Sequence, residues 1–310
     1  MGQYKNQHYV PKFYLKRFFT KDTSYISFYD KNRKNFCPKT SIRKECSSEY
    51  YYGSDLKNEN KLSVIEFEHN DLIESILSNE VLPQKGTHKH KQLLCLVALF
   101  YLRHPKVINA GKFLFESIIN QDISNNHAVD NSLNRIKIIA SIINDLEILL
   151  LHNRTNAPFI TSDYPLVRFS QYLQAKKEDI SDLGFKSDGI QVFMPLSPSV
   201  CLVLYDTRTY DIMSEVDRYI DIHSETEIFQ LNLLQLLNCS DKVYFNTSIS
   251  KEYTDQLEQE YQNILQLDSM SNEFVSTDDR LIIPEAEQLI NRNMNHLALD
   301  LSFFKVRSSI

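Results

Sequence analysis

Six polar side chains stand where predicted elements begin or end, the places from which groups of distant segments can converge: His8, Arg103, Asn153, Ser162, Asp163 and Asn232. A histidine titrates near neutrality and can act as acid, base or metal ligand. His8 lies just ahead of a helix that opens at Pro11, because proline suits a first helical turn. Backbone N–H groups there attract anions, and the same place also suits a plain helix cap. Arg103 closes a very apolar helix and precedes Pro105, which puts its guanidinium at a core boundary. An arginine so placed holds either a fixed carboxylate, with Asp163 or Glu74 as partner, or a phosphate. Asp163 follows a predicted strand and turns sharply before Pro165, where it either works as a free carboxylate or bonds backbone N–H groups in an Asx-turn. A Ser162–His8–Asp163 triad ranks low: Ser162 lacks the G-x-S-x-G elbow that exposes a nucleophile, and it is adjacent to the acid.

Further acids come from the helix predicted over 62–81, where Glu66, Asn70 and Glu74 share a face at i, i+4 and i+8; such charges are more often a solvated face. A divalent metal is left open as a cofactor, with Asp163, Glu74 and His8 as candidate ligands. His88-x-His90 is a weaker metal signal, with no acid or cysteine beside it. The chain has only six glycines, and none makes G-x-x-x-x-G-K-[ST] or G-x-G-x-x-G. Binding of ATP or NAD through a P-loop or a Rossmann turn is therefore excluded.

The net charge of −6 is unevenly spread: residues 1–61 hold 13 Lys/Arg against 6 Asp/Glu, and residues 171–310 hold 11 against 23. The basic front interleaves its cations with aromatics, which is what a nucleic-acid surface needs to track phosphates and stack bases. Lys12, Lys16, Arg17 and Tyr14 are the expected contacts. The plainer reading makes the aromatics core and the lysines solubilising.

These groups require a frame. Strands are expected at Tyr25–Asp30 with a hairpin partner within Asn35–Ile42, at Leu146–Leu151 with Phe159-Ile160 as its neighbour, at Ile190–Met194, Val200–Tyr205 and Val243–Phe245. Helical spacing predicts helices over about 62–81, 89–104, 106–120, 129–144, 223–237 and 251–267, with residues 43–61 and 170–189 as loops. The fold class is α+β, a central helical bundle with small antiparallel β-sheet elements at both flanks. Residues 1–267 are read as one domain, 268–280 as a linker, and 268–310 as a C-terminal extension. No apolar run reaches membrane-spanning length. The N-terminus lacks a secretory pattern, and five dispersed cysteines suit a reducing compartment, so a cytoplasmic protein with no membrane partner is expected.

The segment His8-Tyr9-Val10-Pro11-Lys12-Phe13-Tyr14-Leu15-Lys16-Arg17-Phe18 resembles the opening of the mostly bacterial domain-of-unknown-function family 4238, His-x-Val-Pro-x-x-Tyr-Leu-x-x-Phe. Leu102-Arg103-His104-Pro105 resembles its Arg-x-Pro element, and Asn153 with Pro158-Phe159-Ile160-Thr161-Ser162-Asp163-Tyr164-Pro165 resembles its Asn…Phe-Ile-Thr-Ser-Asp-x-Pro element. Met194-Pro195-Leu196-Ser197 and Asn232…Lys242-Val243-Tyr244 match more loosely, so the resemblance spans roughly residues 7–246. It implies a Glu pair on the helix at 62–81, met here by Glu66 and Glu74 or by Glu74 and Glu80, and a toxin-like or phage-defence setting. The resulting expectation is a nuclease-like phosphodiester hydrolase. In it His8 serves as acid or base, Arg103 holds the phosphate, Asp163 orients His8 or holds a cation, and Ser162 and Asn153 assist. The alternatives are a nucleic-acid- or nucleotide-binding module without turnover, and a scaffold whose motifs fix a fold. The oligomeric state is left open.

Overall fold

Pro11 is the N-cap of the first helix, with an extended backbone (φ −59°, ψ 141°) rather than a place in its first turn, and the helix opens at Lys12. The rest of the chain alternates short strands with longer helices. The computed structural model describes residues 6–20, 22–180, 183–212, 218–246, 248–271 and 294–307. In chain order the elements are β1 (Asn6–His8), α1 (Lys12–Leu15) continued by a 3-10 turn (Lys16–Phe18), β2 (Ile26–Asp30), β3 (Asn35–Thr40), β4 (Ser47–Glu49), α2 (Lys57–Asn79), α3 (His88–Leu102) and α4 (Pro105–Ile119). Then come α5 (Asn125–Leu133), α6 (Ile136–Ile143), β5 (Glu147–Asn153), β6 (Thr161–Ser162), β7 (Val167–Phe169), α7 (Gln171–Ala175), β8 (Gln191–Ser197), β9 (Val200–Tyr205) and β10 (Tyr210–Ile212). The last are β11 (Tyr219–Ile222), α8 (Glu225–Asn238), β12 (Lys242–Phe245), α9 (Lys251–Ser271) and β13 (Phe304–Val306). The fold is α+β.

The largest sheet has five strands in the order β11-β5-β9-β8-β7. All its pairings are antiparallel except β11 with β5, which is parallel. Its central strands read as continuous apolar runs (Ile148–Leu151, Cys201–Leu204) because both of their faces are covered, and these residues are buried. A second sheet, β3-β2-β12-β6, joins the N-terminal hairpin to strands that are more than a hundred residues away in sequence. Two further pairs, β1 with β4 and β10 with β13, close the periphery.

Several boundaries differ from expectation for identifiable reasons. α2 begins at Lys57 rather than 62, because Leu56 takes a left-handed backbone (φ 58°) and the Asp55 carboxylate accepts from Lys57 N. The helix expected over 129–144 is two helices separated at Asn134-Arg135. Phe159-Ile160 does not pair with β5; β6 follows instead and pairs with β12. α3 and α4 meet at 72° across Arg103-His104, where Pro105 forbids continuation. Among the described residues no single helix is long and apolar enough to cross a membrane. Of the linker expected at 268–280, residues 268–271 end α9 and the remainder lies outside the described residues. Residues 294–307 are not an appendage. Leu297, Leu301 and Phe303 are buried in the main core, and β13 pairs with β10.

Candidate functional site

The motif segments do meet in space, and the first place they meet is a buried seam. Residues 153–166 are largely irregular, so their backbone groups need partners from elsewhere. α8 supplies them from a row of amides at i, i+3 and i+6. Asn232 accepts from Ile160 N (2.9 Å) and donates to Pro158 O (2.9 Å). Gln235 accepts from the Ser162 hydroxyl (2.9 Å) and donates to Pro165 O (2.9 Å), and Asn238 donates to Tyr164 O (2.6 Å) and Leu166 O (3.1 Å). Asp163 then clasps the chain that leaves α8: its carboxylate accepts from Ser240 N (2.7 Å), Asp241 N (2.8 Å) and Lys242 N (3.1 Å). Burial pushes Asp163 above the ordinary carboxylate range, against the pull of these three N–H groups. Asn153 is part of the same frame, donating to Ala157 O (2.6 Å) and accepting from Thr155 N (2.8 Å).

Tyr14 ties the front of the chain to this seam. It is fully buried, its hydroxyl donates to Pro195 O (2.5 Å), and it shares a hydrogen bond with the Thr161 hydroxyl (2.8 Å). One side chain thus touches the first, third and fourth motifs.

Arg103 is the second meeting point. It is 1% exposed and lies at the C-terminus of α3. Its Nε donates to the Tyr52 hydroxyl (2.9 Å), one terminal nitrogen donates to the His8 carbonyl, and the other faces Glu66 Oε1 at 2.8 Å. Burial alone would lower its pKa, but Tyr52 and Glu66 outweigh that and hold the charge. His8 meets Arg103 through its backbone, while its ring Nε2 donates to Ile42 O (3.2 Å). Burial, with Lys12 and Arg103 nearby, lowers the His8 pKa to about 4, so it is neutral at pH 7. Burial and then Arg103 lower His69, three residues beyond Glu66, likewise to about 4.

Glu66 connects this buried cation to solvent. It keeps 27% of its side chain exposed and lines an open cleft of about 530 Å³ between α1 and α2, together with Phe13, Lys16, Arg17, Asn70 and Glu74. Arg17 is held along the same wall by Asn70 Oδ1 (3.0 Å) and Glu74 Oε1 (2.8 Å). Lys16 is exposed on the cleft, and Lys12, one helical turn before it, is exposed as well. Glu59 approaches from the first turn of α2, where burial and then Glu66 raise its pKa.

The expected site is therefore corrected in most of its members. His8, Arg103 and Asp163 are buried, and each is engaged by its own protein partners. Ser162 is fully buried and bonded to Gln235, which leaves it no path to a substrate. Asn153 is spent on its own loop. Tyr14 cannot stack a base, because no face of its ring is open, and Arg17 is engaged by α2. The three proposed metal ligands go to different partners: Asp163 to backbone N–H groups, Glu74 to Arg17, His8 to Ile42. Among the described residues no group of three His, Cys, Asp or Glu is arranged to hold a metal ion. Of the expected nucleic-acid contacts, Lys12 and Lys16 keep their accessibility. Tyr52, Glu59, His69, Gln235 and Asn238 were not anticipated. For the two amides a signal existed, as polar residues at helical spacing in an otherwise leucine-rich helix; for Glu59 it was masked by the late predicted start of α2.

A sequence model of one protein family, described as a protein of unknown function (DUF4238), matches residues 6–248, more than three quarters of the chain. No curated protein and no solved structure matches.

Proposed function

This chain belongs to the DUF4238 family, and on that premise we propose that the α1–α2 cleft is its working site and that it hydrolyses phosphodiesters of nucleic acid. The observation that carries the reading is Glu66, a carboxylate that lines an open cleft and reaches solvent while a fully buried arginine holds it from behind. A carboxylate oriented by a rigid partner is what a general base needs, because geometry precedes pKa in proton transfer. In this reading Lys16 on the cleft and Lys12, four residues before it, hold backbone phosphates as point charges. Glu66 takes a proton from the water that attacks phosphorus. The P–O bond to the leaving alcohol breaks, and that oxygen is protonated from solvent. Arg103 is a positioning residue, since its guanidinium touches Glu66 and not the cleft.

The test is turnover of a single-stranded oligonucleotide and of bis(p-nitrophenyl) phosphate by the purified chain and by Glu66→Gln, with circular dichroism to check folding. A loss of roughly 100-fold or more in turnover with the fold retained is expected. Absence of turnover in the wild type, or a Glu66→Gln variant that remains fully active, overturns the reading. A second reading, binding without hydrolysis, is favoured by the exposure of Lys12 and Lys16. It predicts affinity that falls steeply with salt, and a salt dependence that weakens in Lys12→Ala/Lys16→Ala, with no cleavage in either protein.

A further inference from the structure

α4 carries an apolar stripe that outruns the body it packs on. Val107 and Ile108 in its first turns are buried, but the stripe continues through Gly111, Leu114, Phe115 and Ile118, where α5 covers only one side. Leu114 is 52% and Ile118 is 72% exposed, and Phe113, Phe115 and Ile119 are open as well. Phe113 faces away from the stripe, but Leu114, Phe115, Ile118 and Ile119 lie on its side and together expose apolar area on the order of 400 Å², the size at which a surface patch marks a contact. We propose that a second copy of this chain covers it, through antiparallel packing of α4 on α4 about a two-fold axis.

The stripe is complementary to itself. Its positions 111, 114, 115 and 118 follow the i, i+3, i+4, i+7 spacing by which one helix packs on another. In an antiparallel pair centred between 114 and 115, Ile118 of each copy lies over Gly111 of the other, and Leu114 lies over Phe115. The large, protruding residue thus meets the small one twice by symmetry, as an isologous interface requires. Gly111 leaves open space on the stripe: a Cβ built there meets nothing within 4 Å. Two of the charges beside the stripe are engaged within the chain, while Arg135 stands exposed on the facing wall of the groove. Lys112 faces Glu116 (3.7 Å) and donates to Asn125 (3.0 Å), while Glu116 accepts from Ile123 N (2.8 Å). A single arginine is not the basic belt of a lipid-binding helix, so the patch fits another apolar helix better than an anionic lipid surface or a nucleic acid. Two such patches with their polar surroundings reach the ~1,000 Å² of a specific interface.

Sedimentation equilibrium of the full chain tests this. The wild type is expected to be dimeric, and Ile118→Glu to raise the dimer dissociation constant by roughly tenfold or more. Gly111→Leu is the sharper variant. It fills open space in the free chain and favours the helix, yet removes the space that receives Ile118, so dissociation rises by a similar factor. A monomeric wild type overturns the proposal, as does a Gly111→Leu variant that associates as tightly as the wild type or more tightly. Binding of a monomeric wild type to phosphatidylcholine–phosphatidylserine vesicles, strengthened by the added leucine, also overturns it and names a lipid surface as the occupant.

Discussion

The wall of the α1–α2 cleft and the seam at 153–166 are built from the same kinds of residue, acids, amides and cations at the ends of elements, and they put them to opposite use. In the seam every polar group named above finds a partner inside the protein: Asn232, Gln235 and Asn238 bind backbone, and Asp163 takes three N–H groups. In the cleft the buried arginines are paired by carboxylates yet each keeps one nitrogen without a hydrogen bond, and Glu66, Glu74, Lys12 and Lys16 retain surface. A buried polar group left without a partner loses its hydration outright, so the seam is committed to holding the fold. Chemistry requires a group fixed on one side and free on the other, and among the residues discussed Glu66 meets that condition best.

The largest expected effect falls in the seam. Asp163→Ala strands three backbone donors and is expected to lower unfolding free energy by about 3–5 kcal/mol in urea titration. Glu66→Gln keeps an acceptor for Arg103 in partly hydrated surroundings and is expected to lose only about 1–2 kcal/mol. If the two losses are equal, the cleft is frame like the seam and the contrast fails.

Acid should loosen the cleft side first, because two buried histidines with lowered pKa, His8 and His69, serve it against one, His104, which stacks on Tyr164 of the seam. His8 and His69 have folded-state pKa values near 4, below the ordinary value of about 6.5. Between those limits the unfolded chain binds more protons than the folded one, so stability is full above about pH 6.5 and is lost as pH falls toward 4, by about 3–3.5 kcal/mol for each histidine at most. Hydrogen exchange read across that window should show α2 opening before α8. Simultaneous opening would mean that the two regions are one cooperative unit.

The smallest effects separate frame from contact most cleanly. Tyr14→Phe removes a buried hydroxyl with two partners and is expected to lose about 1–2 kcal/mol while leaving oligonucleotide affinity unchanged in fluorescence anisotropy. Lys16→Ala is expected to change stability by less than about 0.5 kcal/mol and to weaken affinity. The reverse pattern would make Tyr14 the contact.

Much of the frame is legible in residue order. The apolar runs of β5, β8 and β9 and the periodicity of α2, α3, α4 and α8 follow from local spacing, because each element must bury one stripe or two faces. β11 and β6 are not legible: Tyr219–Ile222 becomes a strand only because the edge of β5 is there to pair with it, and Thr161-Ser162 only because β12 is. The site was legible in its residue types but not in their roles. His8, Arg103 and Asp163 stood out as chemically capable, and Glu66 looked like one of several acids on a solvated face.

By itself, then, the sequence determined the α+β class, the absence of P-loop and Rossmann turns, and the motifs that had to meet, because composition and period are local properties. Tertiary structure alone decided which polar groups were satisfied. Whether a carboxylate is a clasp or a working group depends on what surrounds it: Asp163 is closed in by the backbone leaving α8, while Glu66 is backed by Arg103 and open to water. Those neighbours come from segments far apart in the chain, and no local pattern encodes their arrival.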